Sequence, residues 1–128
     1  MNIEGVHHIA IICSDYETSK HFYTEILGFK IIEETYRAER NSYKLDLQVP
    51  GGIQIELFTF PYAPIRPSCP EAQGLRHLAF KVKNVEEAVK KLEEQGIKVE
   101  PIRIDELTGK KFTFFSDPDG LPLELYKS

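Results

Sequence analysis

With 128 residues, 16 basic and 20 acidic side chains and a formal net charge of −4, the chain fits one compact domain and little more. Its 41% hydrophobic and 28% charged composition excludes disorder, and a mildly acidic balance without a Lys/Arg block argues against nucleic acid as a partner. The longest apolar run, Ile9 to Cys13, is far short of the roughly 20 residues of a bilayer span. Met1–Gly5 has neither a basic n-region nor an apolar h-region, so a cytoplasmic location is expected.

Val6 to Cys13 is apolar and β-branched and predicts a strand, with Cys13 a buried small hydrophobe. Ser14-Asp15-Tyr16-Glu17 forms a capping box with Ser14 or Asp15 as N-cap. The following helix carries Phe22, Tyr23, Ile26 and Leu27 at helical spacing and stops at Gly28. Strands are predicted near 29–36, 42–48 and 53–60, the last two joined at Pro50-Gly51-Gly52. Pro61, Pro64, Pro67 and Pro70 recur every third residue, the period of polyproline II, and predict a stiff, extended connector over 61–73; Cys69 lies in it. Leu75 to Val82 predicts another strand. Asn84 caps a helix with Val85, Ala88, Val89 and Leu92 on one stripe, ended by Gly96. Strands are then predicted near 97–103, 111–116 and 121–127, with turns at Thr108-Gly109-Lys110 and Asp117-Pro118-Asp119-Gly120.

The second half copies the first. Gly5-Val6-His7-His8-Ile9-Ala10 matches Gly74-Leu75-Arg76-His77-Leu78-Ala79, placing His8 on His77. Gly52-Ile53-Gln54-Ile55-Glu56-Leu57 matches Gly120-Leu121-Pro122-Leu123-Glu124-Leu125, placing Glu56 on Glu124. Each half is therefore a βαβββ module, 5–60 and 74–127, within one α+β domain spanning 1–128.

Strand alternation puts His8 on one face with Ala10 and Ile12, and Glu56 on one face with Gln54 and Phe58. His77 likewise shares a face with Ala79 and Lys81, and Glu124 with Pro122 and Tyr126. The opposite face of each last strand (Ile53, Ile55, Leu57; Leu121, Leu123, Leu125) is apolar and belongs under the helix. A lone His or Glu on a strand has a bland explanation, a hydrogen-bonded or solvated side chain. Packing accounts for repeated apolar residues but not for a repeated Glu flanked by Leu and Ile. Two imidazoles and two carboxylates balance a divalent ion without thiols and suit Zn, Ni, Co, Mn or Fe(II), with two octahedral positions left open for chemistry. His8, Glu56, His77 and Glu124 are thus the candidate ligands, brought together if the halves pair by pseudo-twofold symmetry. Small Ala10 and Ala79 leave room for a ligand. Lys81 is the better candidate for an anionic substrate than Arg37, Arg40 or Arg76. His7 points away from His8, to the helix side or an edge, and His21 is solvent-exposed. No Ser/His/Asp pattern, dinucleotide fingerprint, P-loop or zinc-finger spacing is present.

The run His8-Ile-Ala-Ile-Ile-Cys-Ser-Asp15, then Ser19-Lys-His-Phe22-Tyr23 and Leu27-Gly28-Phe29, resembles the opening of vicinal oxygen chelate proteins. Asp117-Pro-Asp-Gly-Leu-Pro-Leu-Glu-Leu125 resembles their closing motif. The resemblance spans essentially the whole chain. It implies paired βαβββ modules forming an open, cupped mixed sheet around a divalent metal, first and last strands of each module adjacent, and a homodimer. The four-ligand set looks like that of glyoxalase I (lactoylglutathione lyase), and the compact length looks like the bacterial, nickel- or cobalt-using members. The run Lys111-Phe-Thr-Phe-Phe-Ser-Asp-Pro-Asp-Gly120 is closer still to a bacterial glyoxalase-like subgroup.

The resemblance implies a metal-dependent lyase/isomerase that converts a 2-oxoaldehyde–thiol hemithioacetal to a 2-hydroxyacyl thioester through an enediolate. Glu124 would be the base, with Glu56 its counterpart by pseudosymmetry; His8 and His77 would be ligands only. Ile12, Gln54, Phe58, Phe60, Lys81 and Tyr126 are the candidate lining of a small-molecule pocket. Two positions depart from bacterial glyoxalase I: Ile12 stands where Arg meets the glutathione carboxylate, and Phe60 where Asn is usual. Both remove polar recognition of glutathione, so a different thiol is implied. Alternatives within the same resemblance are an acyl-CoA epimerase, which would favour Gln at position 56, and an iron dioxygenase. The non-enzymatic alternative is a protein that sequesters a toxin or antibiotic.

Overall fold

The computed structural model describes all 128 residues. The chain divides into two compact units, Met1–Pro64 and Ile65–Ser128. No helix is long and apolar enough to cross a membrane.

In the first unit the strands are β1 (His8–Ile12), β2 (Lys30–Arg37), β3 (Ser42–Gln48) and β4 (Gln54–Phe58), in the order β1-β4-β3-β2. β1 runs parallel to β4 and the other neighbours are antiparallel. The mixed sheet follows from connectivity, because the helix between β1 and β2 makes the crossover and short turns join the rest. β1 is shorter than the predicted 6–13. Its pairing begins only where Gln54 N–H donates to the His7 carbonyl.

Helix α1 (Tyr16–His21) starts at Asp15, whose carboxylate accepts from Thr18 N–H at 2.9 Å, so Asp15 rather than Ser14 is the cap. The predicted helix does not continue as α. Phe22–Ile26 forms a π turn, with Leu27 N–H reaching back five residues to the Phe22 carbonyl. The consecutive Phe22 and Tyr23 are buried in it, at 3% and 0% exposure. Gly28, at φ +79°, ends it as predicted. Beneath lie Leu45, Leu47, Ile55 and Leu57, all fully buried on one face of β3 and β4; each contributes about 1.5–3 kcal/mol by burial.

The second unit repeats the order with β5 (Leu78–Val82), α2 (Val85–Glu94), β6 (Arg103–Ile104), β7 (Lys111–Ser116) and β8 (Pro122–Lys127), arranged β5-β8-β7-β6. Asn84 caps α2 through Glu87 N–H, and Val85 and Leu92 are buried on the predicted stripe. The predicted strand over 97–103 shrinks to a two-residue β6. Pro101 has no N–H to donate, and Glu100 instead pairs alone, its N–H to the Phe114 carbonyl. The predicted strand over 75–82 is also trimmed, leaving His77 just before β5. The Pro-rich connector is not one extended rod, for the chain turns at Pro61–Tyr62 and again at Ser68–Glu71, with a cis Cys69–Pro70 bond.

Candidate metal centre

The parallel register of β1 and β4 sets Ala10 opposite Glu56. His8, two residues before Ala10, is then diagonal to Glu56, and the methyl of Ala10 leaves the space between them open. His8 Nδ1 lies 3.5 Å from Glu56 Oε2. The second unit has the same arrangement. Ala79 is opposite Glu124, His77 precedes it by two, and His77 Nε2 lies 2.9 Å from Glu124 Oε2. In each pair the carboxylate is the more buried member, at 12% side-chain exposure against 43% for His8 and 32% for His77.

These separations test whether the residues fit a metal. Nitrogen and oxygen donors each about 2.1 Å from one ion stand about 3.0 Å apart at a right angle and about 3.4 Å apart at the tetrahedral angle. The observed 2.9 and 3.5 Å span that range, and the donor types suit a borderline divalent ion. No group of three or more His, Cys, Asp or Glu side chains gathers anywhere, so neither unit alone supplies a closed cage.

The surroundings of the two carboxylates differ. On β3, Asp46 faces Glu56. Lys44 Nζ stands 3.8 Å from Glu56 and 3.5 Å from Asp46, whose buried Oδ1 has no hydrogen-bond partner. At the equivalent place on β7, Phe114 faces Glu124, and the edge of one ring meets the other where Phe114 packs on His77, with centroids 5.0 Å apart. Glu124 also lines an open cavity of about 530 Å³ with Arg103, Ile104, Asp105, Glu106, Leu107 and Phe112.

The remaining predicted residues are distributed as follows. Ile12 ends β1 opposite Phe58 and is 54% exposed. Gln54 lies opposite both His8 and Gln48. Phe58 and Phe60 stack with centroids 5.9 Å apart, and the Arg37 guanidinium lies over both rings. Lys81 is exposed opposite Tyr126. The Tyr126 hydroxyl donates to Asp105 Oδ2 at 2.9 Å and meets Thr108 Oγ1 at 2.5 Å. With Leu107 N–H donating to its other oxygen, Asp105 is held below the usual carboxylate range. His7 does not turn to the helix side, since it is exposed with Nδ1 3.0 Å from that of His8. The sequence reading missed Arg103, Asp105 and Phe112 at the cavity, and Lys44 and Asp46 at Glu56. The alternation of Lys44, Asp46 and Gln48 with buried Leu45 and Leu47 was the available signal for the latter pair.

Residues 5–125 match the family model described as the Glyoxalase/Bleomycin resistance protein/Dioxygenase superfamily. The chain belongs to that superfamily. It is 63% identical over 127 residues to the uncharacterised protein YwkD of Bacillus subtilis (strain 168), covering 99% of each chain. It is similar to the crystal structure of a glyoxalase family protein from Enterococcus faecalis, at 54% identity and a TM-score of 0.92, over 98% of this chain and 99% of that one. A more distant relative is the 2-epi-5-epi-valiolone epimerase of an Actinomyces species, 27% identical over 94% of this chain and 78% of that protein. The α+β fold of two βαβββ units is the superfamily's fold.

Proposed function

We propose that this superfamily member is a divalent-metal-dependent enzyme of glyoxalase I type, a lyase/isomerase acting on a 2-oxoaldehyde–thiol adduct. The observation that carries the reading is the repeated His–Glu pair, with His8–Glu56 at 3.5 Å and His77–Glu124 at 2.9 Å in the same diagonal relation. Two such pairs, one of each kind and from one chain or from two copies in a dimer, would complete the shell of one Ni, Co, Zn, Mn or Fe(II) ion. The bound ion would supply Lewis acidity toward two adjacent substrate oxygens.

The chain's own residues do the proton work. A carboxylate of Glu124 would take the proton from the carbon beside the carbonyl and return it to the neighbouring carbon. The aromatic rings of Phe58, Phe60 and Tyr126 would shield the reacting carbons. Ile12 and Phe60 offer no polar contact for glutathione, which favours a different thiol.

A second reading is epimerisation at a carbon beside a carbonyl, favoured by the epimerase among the relatives. It uses the same abstraction and return of a proton, at one carbon instead of two. Metal analysis of untagged protein purified without chelator, beside Glu56→Ala and His77→Ala, tests both readings. Near one divalent ion per site, lost in both variants, supports them. Turnover of methylglyoxal with a panel of thiols, and its loss in Glu124→Gln with metal retained, then selects the lyase. No metal under any loading condition overturns both readings and leaves a small-molecule binding protein.

A further inference from the structure

The cavity beside Glu124 contains one cation, Arg103. It lies on β6 opposite Phe112, its guanidinium carbon 5.0 Å from the centroid of Phe112 and 5.7 Å from that of Phe114. Contact with the two rings holds the guanidinium at this place while its N–H groups stay free to meet an anion. Its polar partner is Glu100, 3.3 Å away, with both side chains more than half exposed. So solvated a pair contributes little and exchanges readily for another anion.

The other lining residues restrict what that anion can belong to. Ile104 and Leu107 are 60% and 96% exposed and, with Phe112, form an apolar stretch. Asp105, Glu106 and Glu124 are acidic. A ligand negatively charged along its whole length would meet three carboxylates and one guanidinium. A ligand with a single anionic tail, an apolar middle and an uncharged, oxygen-bearing head suits a lining that offers one guanidinium, three apolar side chains and, at Glu124, a candidate metal ligand. At about 530 Å³ the open cavity has room for a small molecule.

We infer that Arg103 is a specificity-determining residue. The substrate it selects is a small acid with two adjacent oxygens at one end, a short carbon segment, and a carboxylate or phosphoryl group at the other. This rests on the metal centre proposed above, which the two-oxygen end would meet.

The test uses protein loaded with nickel or zinc and calorimetric binding of acetohydroxamate, a two-oxygen chelator with no anionic tail. Hydroxamates bearing a carboxylate or a phosphonate two to four carbons away are measured in parallel. The tail should tighten binding about 10-fold or more at low salt, and added salt should shrink the gain. Arg103→Ala should abolish the gain while binding acetohydroxamate as the parent does, which also reports that the variant is folded. Arg103→Lys should keep part of it, since the charge stays and the fork is lost. The tail giving the larger gain identifies the anion. Equal affinity for tailed and untailed probes, or a gain untouched by Arg103→Ala, overturns the inference and leaves the metal centre standing. Failure of acetohydroxamate to bind in a metal-dependent way overturns the metal centre and this inference with it.

Discussion

Replacing Glu124 by Leu should stabilise the metal-free protein and abolish its stabilisation by metal. The Glu124 side chain is 12% exposed and has His77 Nε2 at 2.9 Å. Exchanging a buried ion pair as a whole for apolar side chains of similar size is often neutral or stabilising by ~1–4 kcal/mol, and Glu124→Leu exchanges the buried member of this pair and leaves only the solvated one. His77, at 32% side-chain exposure, can rehydrate once its partner is gone, so a gain near ~1 kcal/mol is expected, roughly 4 °C in Tm for a chain of this size. His77→Ala should act in the opposite direction, because it strands the carboxylate in its buried place, at a cost of ~1–3 kcal/mol. Metal at a hundredfold excess over its Kd should raise the parent's stability by about 2.7 kcal/mol, and neither variant should show that rise. Thermal unfolding in chelator, then with nickel, measures all three effects. If Glu124→Leu melts below the parent in chelator, Glu124 supports the fold rather than a ligand. A metal-induced shift that survives in either variant refutes the ligand assignment.

Two further predictions concern the first unit. The Tyr16 hydroxyl donates to Glu34 at 2.5 Å, and Lys20 binds the same carboxylate; burial first and the Glu34 bond second raise the phenol above its ordinary 10.0. A raised folded value means a contribution complete below pH 10 and lost as pH climbs past it, so urea stability should fall above pH 10, and Tyr16→Phe should flatten that limb. Leu57, fully buried between Glu56 and Phe58, should cost about 2–5 kcal/mol as Leu57→Ala. A urea midpoint shifted by less than 1 kcal/mol equivalent would mean that the sheet face under α1 repacks without loss.

The sequence carried the repeat, the element order and both helix caps because each rests on local chemistry. Asp15 and Asn84 accept from the N–H three residues on, and alternating Ile55/Glu56/Leu57 separates two faces by period two. What it did not carry depends on pairing. The length of β6 is decided by Pro101 and by partners on β7, and the π turn at Phe22–Ile26 has no signal in the spacing, which an α-helix would satisfy equally. The diagonal His–Glu relation was legible as a repeat but not as a distance. Arg103 was invisible as a site residue because its place in the cavity that Glu124 lines depends on two registers across the three strands β6, β7 and β8.

The repeat makes the two carboxylates equivalent by position, and their neighbours then make them unequal. Glu56 has Lys44 at 3.8 Å and a second carboxylate, Asp46, directly across the ladder. An ammonium at ion-pair distance holds the Glu56 carboxylate in place, which suits a permanent ligand. Glu124 has an aromatic ring across the ladder and borders an open cavity that a substrate can enter. Environments that separate two like groups are how one site assigns them different roles. Under the proposed function, Glu124→Gln should therefore lose turnover while keeping metal, and Glu56→Gln should weaken metal binding and keep turnover once loaded. Elemental analysis and rate on the same samples measure both. Loss of turnover confined to metal-saturated Glu56→Gln would move the base to the first unit.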